Sequence, residues 1–438
     1  MKSSVWHPNT QMKEWGSFDK ITNAKGVWLI DSKGNKMMDA VGSMWCNVWG
    51  HSNPQLVKAI TTKSKKVQHS SMFNLTNEPA EKLAQKLVKI SPGMYKTFYS
   101  DNGSSAMEIA IKIALQYWKN IGEKKKTEIA TLENGYHGDT FGAMSVGYVP
   151  EFFGKFKKQL FSTIQFPVPN NYRIPKKYSF SEYQNYCLEK IETKFSKSNN
   201  IAAFVMESGA QMAGGVIIYP KGFQKKIKQL CKKYDILFVL DEIATGFGRL
   251  GSMIQYEEQK SIPDIVAFGK MLTGGYLTMA ATLASKKIYD SFSGEFNDWK
   301  HLFHGHTYTG NPIAASVANE NLKMYQKNNL IKKIQKTSKI FGNFYQEISE
   351  IDIVGDIRHK GMLMGIELVT DKSKKTPIHP KKSINKIFFE HGKKNGIYLR
   401  TLGNIVMLVP PLAISENELN SLLNRTIKTI KSAKPNLH

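Results

Sequence analysis

Cysteine is scarce in this 438-residue chain, which carries only Cys46, Cys187 and Cys231. An odd, sparse set without CxxC spacing excludes a disulfide scaffold and a cysteine-held metal cluster, and it points to a reducing compartment. Arginine is also scarce. Of 61 basic residues only five are arginine, at positions 173, 249, 358, 400 and 425, which leaves 56 lysines. Lysine serves wherever a plain positive charge suffices, so each remaining arginine marks a place where a planar, bidentate grip on a carboxylate has a use. Arg425, in a terminal helical pattern, reads as a surface residue. Acidic residues number 36, giving a net charge of +25. The lysines are spread along the chain (Lys63, Lys65 and Lys66; Lys124 to Lys126; Lys225 to Lys233) without stacking aromatics or a nucleic-acid motif, so no nucleic-acid partner is expected. No apolar run approaches the roughly 20 residues of a membrane span. The opening MKSSVWHPNTQMKEW has no continuous apolar stretch, so a secretory signal and a membrane partner are not expected, and a cytoplasmic location is.

What remains is an ordinary globular composition, 41% hydrophobic and 22% charged, in a chain long enough for a large core and more than one domain. VWLIDSKGNKMMDAV (27–41) reads as a β-hairpin around a Lys-Gly-Asn turn. A helix follows Asn53-Pro54, over 54–68. From about residue 96, strands alternate with helices: TFYSDNGSSAMEIAIKIALQYWKN, EIATLENGYHG, IAAFVMESG, ILFVLDEIATG and DIVAFGK. Such alternation predicts an α/β fold with a mostly parallel sheet covered on both faces. Residues 165–185 read as an irregular loop, and one long helix is expected from Asn311-Pro312 to about 346. The expected organisation is an N-terminal segment (1–60) joining a small domain, a large domain (61–325), and a C-terminal α+β small domain (326–438).

Two fragments carry the chemistry. FVLDEIATGFGR (238–249) and PDIVAFGKMLTGG (263–275) each read as a buried strand ending in one charged residue, Asp241 and Lys270. A lysine at the mouth of a buried strand is partly desolvated, which frees its amine as nucleophile and general base. An acid on a neighbouring strand end suits a ring nitrogen that must stay protonated. Together they suit pyridoxal phosphate. The bland readings are a surface lysine and a helix N-cap. Glu242 points elsewhere if the strand continues. SDNGSSAME (100–108) places small polar residues before a helix, where free N–H groups make an anion site; Gly103 lets the backbone come close and Ser104 can donate. ENGYHGDT (133–140) places Tyr136 and His137 at a strand end, for stacking on the cofactor ring, lining the substrate pocket, or simple core packing. Glu207 and Gln211 could orient cofactor or substrate. FHGHTYTGNP (303–312) offers Gly305, His306 and Thr307 as a second phosphate grip. His301, His304 and His306 are too crowded for a metal site, and none is expected.

Together these motifs resemble the class III aminotransferases of the pyridoxal phosphate fold-type I group, from Trp6 to about residue 430. WHPNTQM, ALQYWKNIG, NGYHGDTFGAMSVG, DEIATGFGR, FGKMLTGG and HGHTYTGNP resemble the biotin-pathway branch, which aminates 8-amino-7-oxononanoate. The resemblance implies a homodimer with sites at the subunit interface. It implies Lys270 as the catalytic residue. Gly103, Ser104, Tyr136, Asp241, His306 and Thr307 would contact the cofactor, with Thr307 supplied by the second subunit. Asn9, Met44, Trp45, Tyr136, Gly305, Arg249 and Arg400 would surround the substrate, Arg400 on its carboxylate. Three positions depart from the branch: Asn9 stands where tyrosine is common, Met44 where tryptophan is, and His306 where proline is. The amino donor is expected to be S-adenosylmethionine, with L-lysine as the alternative. An ω-amino acid or diamine transaminase, or a non-catalytic binding protein on the same fold, are the competing readings; the intact Lys270, Asp241 and Gly103-Ser104 argue against the last.

Overall fold

A computed structural model describes residues 3–379 and 382–437. Its centre is a seven-stranded sheet in the order Lys96–Ser100, Ala280–Ala284, Ile265–Phe268, Leu237–Asp241, Ile201–Glu207, Glu128–Leu132, Ile164–Phe166. Ala280–Ala284 runs antiparallel to both neighbours, and the other pairs are parallel. The inner strands are continuous apolar runs because helices cover both faces. Ile201–Glu207 is buried at every position. The helix Gly103–Asn120 covers one face with Ala106, Ile109, Ala110, Ile113, Ala114 and Tyr117, the three-and-four spacing of a single helical stripe.

The hairpin expected at 27–41 forms as Trp28–Asp31 against Lys36–Asp39. Ile397–Tyr398, from the far end of the chain, adds in parallel to Lys36–Asp39. A second sheet joins Val354–Lys360, Leu363–Asp371, Ile405–Leu408 and Arg400–Leu402. The helix starting at Pro54 ends at Ser64. No helix among the described residues is long and apolar enough to cross a membrane.

Three expectations need correction. The long helix from Pro312 stops at Lys327, because Asn329 adopts the left-handed conformation (φ +48°) and the chain restarts as Leu330–Thr337, Ile340–Asn343 and Tyr345–Ser349. The loop expected over 165–185 gives way at Ser179 to the helix Phe180–Ser196, started by a Ser179–Glu182 capping box. Arg425 is not a free surface residue. Its Nη1 donates to the Asn395 carbonyl at 2.7 Å and its guanidinium lies 5.6 Å from the Trp28 ring centre, tying the last helix to the N-terminal hairpin.

Candidate active site

The parallel register sets the site. Asp241 pairs with Glu207 on one side and Ala267 on the other, so two carboxylates end adjacent strands, with Lys270 three residues beyond Ala267. Open parallel sheets bind ligands at this carboxyl edge. A cavity of about 680 Å³ opens there, lined by Met44, Trp45, Cys46, Gly103, Ser104, Tyr136, His137, Thr140, Glu207, Asp241 and Lys270 among others.

Asp241 is held on both oxygens. Oδ1 accepts the Ile243 N–H at 2.9 Å, and Oδ2 lies 2.8 Å from Nδ1 of the buried His137. The local sequence marks His137 only as a strand-end aromatic, because 104 residues separate it from Asp241. Lys270 follows extended Gly269 and takes a left-handed φ of +43° at the start of a short 3₁₀ turn. That conformation costs a residue other than glycine roughly 1 kcal/mol or more, and such strain gathers at functional positions. Burial lowers the Lys270 pKa, while Asp241 and Glu207 push it back up. Its Nζ lies 5.0 Å from the Trp45 ring centre.

At the other end of the cavity the helix Gly103–Asn120 begins. Asn102 caps it by accepting the Ser105 N–H, and the first-turn N–H groups of Gly103 and Ser104 face no intrahelical acceptor. Gly103 is required by proximity, as a Cβ there would sit 2.8 Å from Ile243 Cγ2, two residues after Asp241. Ser104 Oγ shares a 2.8 Å hydrogen bond with Thr140 Oγ1, so the loop after Tyr136 is fastened to the helix start. The ENGYHGDT segment ends at Thr140, but its pattern singles out only Tyr136 and His137. Tyr136 donates to Asp139 Oδ1 at 3.0 Å, and burial raises its phenol pKa.

Other candidate residues fall elsewhere. Arg400 does not line the cavity; its Nη1 lies 3.3 Å from Sδ of Met44, which does. Arg249 is fully buried, and its Nη1 donates to the carbonyls of Met362 and Pro410, which links the Asp241 loop to the second sheet. Burial lowers its pKa to about 10. Gln211 donates to the Glu133 carbonyl at 2.9 Å. Asn9 and Thr307 are exposed, and neither they nor Gly305 line the cavity within one chain. His306 does not line the cavity; its Nδ1 lies 3.8 Å from Oδ2 of Asp101, which does.

Two further carboxyls are buried beside Asp241. Glu207 accepts N–H groups from Met212 and Tyr136, and burial pushes its pKa up to about 7. Glu242 turns away from the cavity to accept the Gln255 and Tyr256 N–H groups, and burial pushes it too up to about 7 from 4.5. A raised carboxyl pKa means that the folded chain keeps a proton the unfolded chain has already released. The associated stability is complete below about pH 4.5 and is lost as pH rises through about 7. Glu242→Gln is expected to flatten the fall in melting temperature between about pH 5 and about pH 8. Equal slopes for the cofactor-free wild type and variant in a thermal-shift series contradict the assignment.

The fold and this strand-end acid–lysine pair define a class. The aminotransferase class-III profile matches residues 13–430, and the chain belongs to that family of enzymes. It is 42% identical to the adenosylmethionine-8-amino-7-oxononanoate aminotransferase of Aquifex aeolicus, over 98% of this chain and 96% of that one. The crystal structure of the enzyme of the same name from Methanocaldococcus jannaschii matches with a TM-score of 0.92 and 40% identity, covering 98% of this chain and 97% of that one. An amine transaminase from an uncultivated Pseudomonas species, in its PLP-bound form, matches with a TM-score of 0.93 and 26% identity over 99% of both chains.

Proposed function

We propose that this protein transfers an amino group to 8-amino-7-oxononanoate to give 7,8-diaminononanoate, a step of biotin biosynthesis, with pyridoxal phosphate as cofactor and S-adenosylmethionine as donor. The observation that carries the reading is one cavity joining Lys270, Asp241 and the Gly103–Ser104 helix start. Those residues fit the cofactor's three demands: an amine for the aldehyde, an acid for the ring nitrogen, and N–H donors for the phosphate. When bound, the cofactor supplies an electron sink for the carbon that loses or gains the amino group.

The chain's own groups do the rest. Lys270, its amine made easier to deprotonate by burial, takes and returns the proton at the reacting carbon. His137 fixes the Asp241 carboxylate, whose charge holds the ring-nitrogen proton. Trp45 and Tyr136 wall the cavity against water. Arg400 receives the acceptor's carboxylate past Met44. Gly305 and Thr307 close the phosphate end from a second copy in a homodimer. Support for that comes from their exposure and from the exposed apolar side chains Phe73, Leu75, Phe303 and Tyr308, a surface suited to burial against another copy. The near-complete coverage of relatives named for this acceptor supports the substrate assignment.

The test separates donors. Pyridoxal phosphate-loaded protein is mixed with S-adenosylmethionine or L-lysine alone, and loss of the visible cofactor band is followed. S-adenosylmethionine is expected to bleach it, and 8-amino-7-oxononanoate to restore it with formation of the diamine. Bleaching by lysine alone overturns the donor. Failure of the oxononanoate to restore the band overturns the acceptor.

A further inference from the structure

A hydrogen-bonded pair, Asp39 and His51, lies outside the cavity next to a segment that forms one of its walls. Asp39, at the end of the strand Lys36–Asp39, has a fully buried side chain and accepts three hydrogen bonds. Oδ1 takes the Val41 N–H at 3.2 Å, and Oδ2 takes the Ser43 N–H at 2.6 Å and His51 Nε2 at 3.0 Å. The strap that follows is unusual. Gly42, Ser43 and Trp45 all have positive φ, at +53°, +62° and +66°. Serine and tryptophan hold such a conformation only where their surroundings impose it.

The strap is confined from two directions. A Cβ on Gly42 would lie 2.7 Å from the Val409 carbonyl oxygen, so the backbone there is pressed against the end of the second sheet. From below, the Asp39 carboxylate grips Val41 and Ser43. His51 is itself anchored, exchanging backbone hydrogen bonds with Gly26 at 2.7 and 3.1 Å. Two residues of the strap line the cavity, the buried Trp45 and the exposed Met44. Trp45 stands over the Lys270 amine, and Met44 touches Arg400 while lining the cavity.

We propose that the Asp39–His51 pair is a positioning device for the reaction: it holds the Gly42–Trp45 strap in its strained form, and so sets how closely Trp45 covers Lys270 and how Met44 and Arg400 meet the acceptor. The proposal rests on the reading of Lys270 as the cofactor-bearing amine. Neither Asp39 nor His51 lines the cavity, so both act through the strap.

His51 is the residue to vary, because it is partly exposed and its loss leaves the core intact, whereas Asp39→Asn strikes a fully buried carboxylate. His51→Gln keeps an N–H donor towards Asp39; His51→Leu removes it. Two readouts are taken on pyridoxal phosphate-loaded protein. The first is the rate at which hydroxylamine strips the cofactor, which reports cover over Lys270 and needs no substrate. The second is the kinetics of amino transfer. His51→Leu is expected to be stripped roughly fivefold faster and to raise KM for the acceptor roughly tenfold, with kcat changed less than about threefold. His51→Gln is expected to stay within about twofold of wild type in both. Wild-type values in His51→Leu, or equal impairment in the two variants, overturn the proposal. So does a fall in kcat and cofactor affinity with KM unchanged, which marks a merely structural role. If the wild type fails to aminate 8-amino-7-oxononanoate, the functional reading falls while the stripping rates still decide the role of the pair.

Discussion

Lys270→Ala is expected to lower the rate of amino transfer by roughly ten-thousand-fold with little change in melting temperature. The magnitude follows from the two jobs proposed for the amine, carrying the cofactor and moving a proton, each worth orders of magnitude when the group sits at the right place. The small stability effect follows from local structure. The side chain is desolvated and its backbone sits at φ +43°, so the native fold gains little from a lysine here. Alanine relieves the desolvation and keeps the backbone cost. The two quantities are read from steady-state kinetics and thermal denaturation of the same preparation. A large drop in melting temperature together with retained activity contradicts the role.

Asp241→Asn is the second large effect. The substitution keeps the shape and removes the charge, in a place where a buried charge partner contributes a few kcal/mol. Pyridoxal phosphate is expected to bind roughly tenfold or more weakly, and the rate to fall by roughly two orders of magnitude. His137 sharpens the prediction. Its Nδ1 lies 2.8 Å from the carboxylate, and its Nε2 is buried with no hydrogen-bond partner among the described residues. Its attachment therefore rests on Asp241, and the asparagine variant loosens the Tyr136–Thr140 loop as well. Titration of cofactor-free protein with pyridoxal phosphate, followed by absorbance, gives the affinity; unchanged affinity and rate argue that Asp241 does not face the ring nitrogen.

The strand-end acid and lysine were legible because a buried parallel strand writes itself as an uninterrupted apolar run, and a charge at its end has few reasons to be there. The Gly103–Ser104 turn was legible for a similar local reason, as small residues before a strong amphipathic helix. The contacts between distant segments were not legible. Asp241 with His137, Asp39 with the strap before Trp45, and Arg249 with the carbonyls of Met362 and Pro410 depend on chain crossings that no local pattern encodes. The expectation that each arginine grips a carboxylate holds within the described chain for Arg173 and Arg358, which both grip the buried Glu367. Arg249 and Arg425 bond backbone carbonyls and Arg400 touches Met44, so the planar fork is used here largely to join segments. The break of the long helix at Asn329 was missed because its apolar spacing resumes after the turn, while a single left-handed residue redirects the axis.

One lysine out of 56, Lys270, is expected to carry the cofactor. Borohydride reduction of the pyridoxal phosphate-loaded protein, followed by digestion and mass spectrometry, tests it directly. A single phosphopyridoxyl group is expected, on the peptide containing Lys270. A label on any other lysine, or a scatter of labels with none at Lys270, contradicts it.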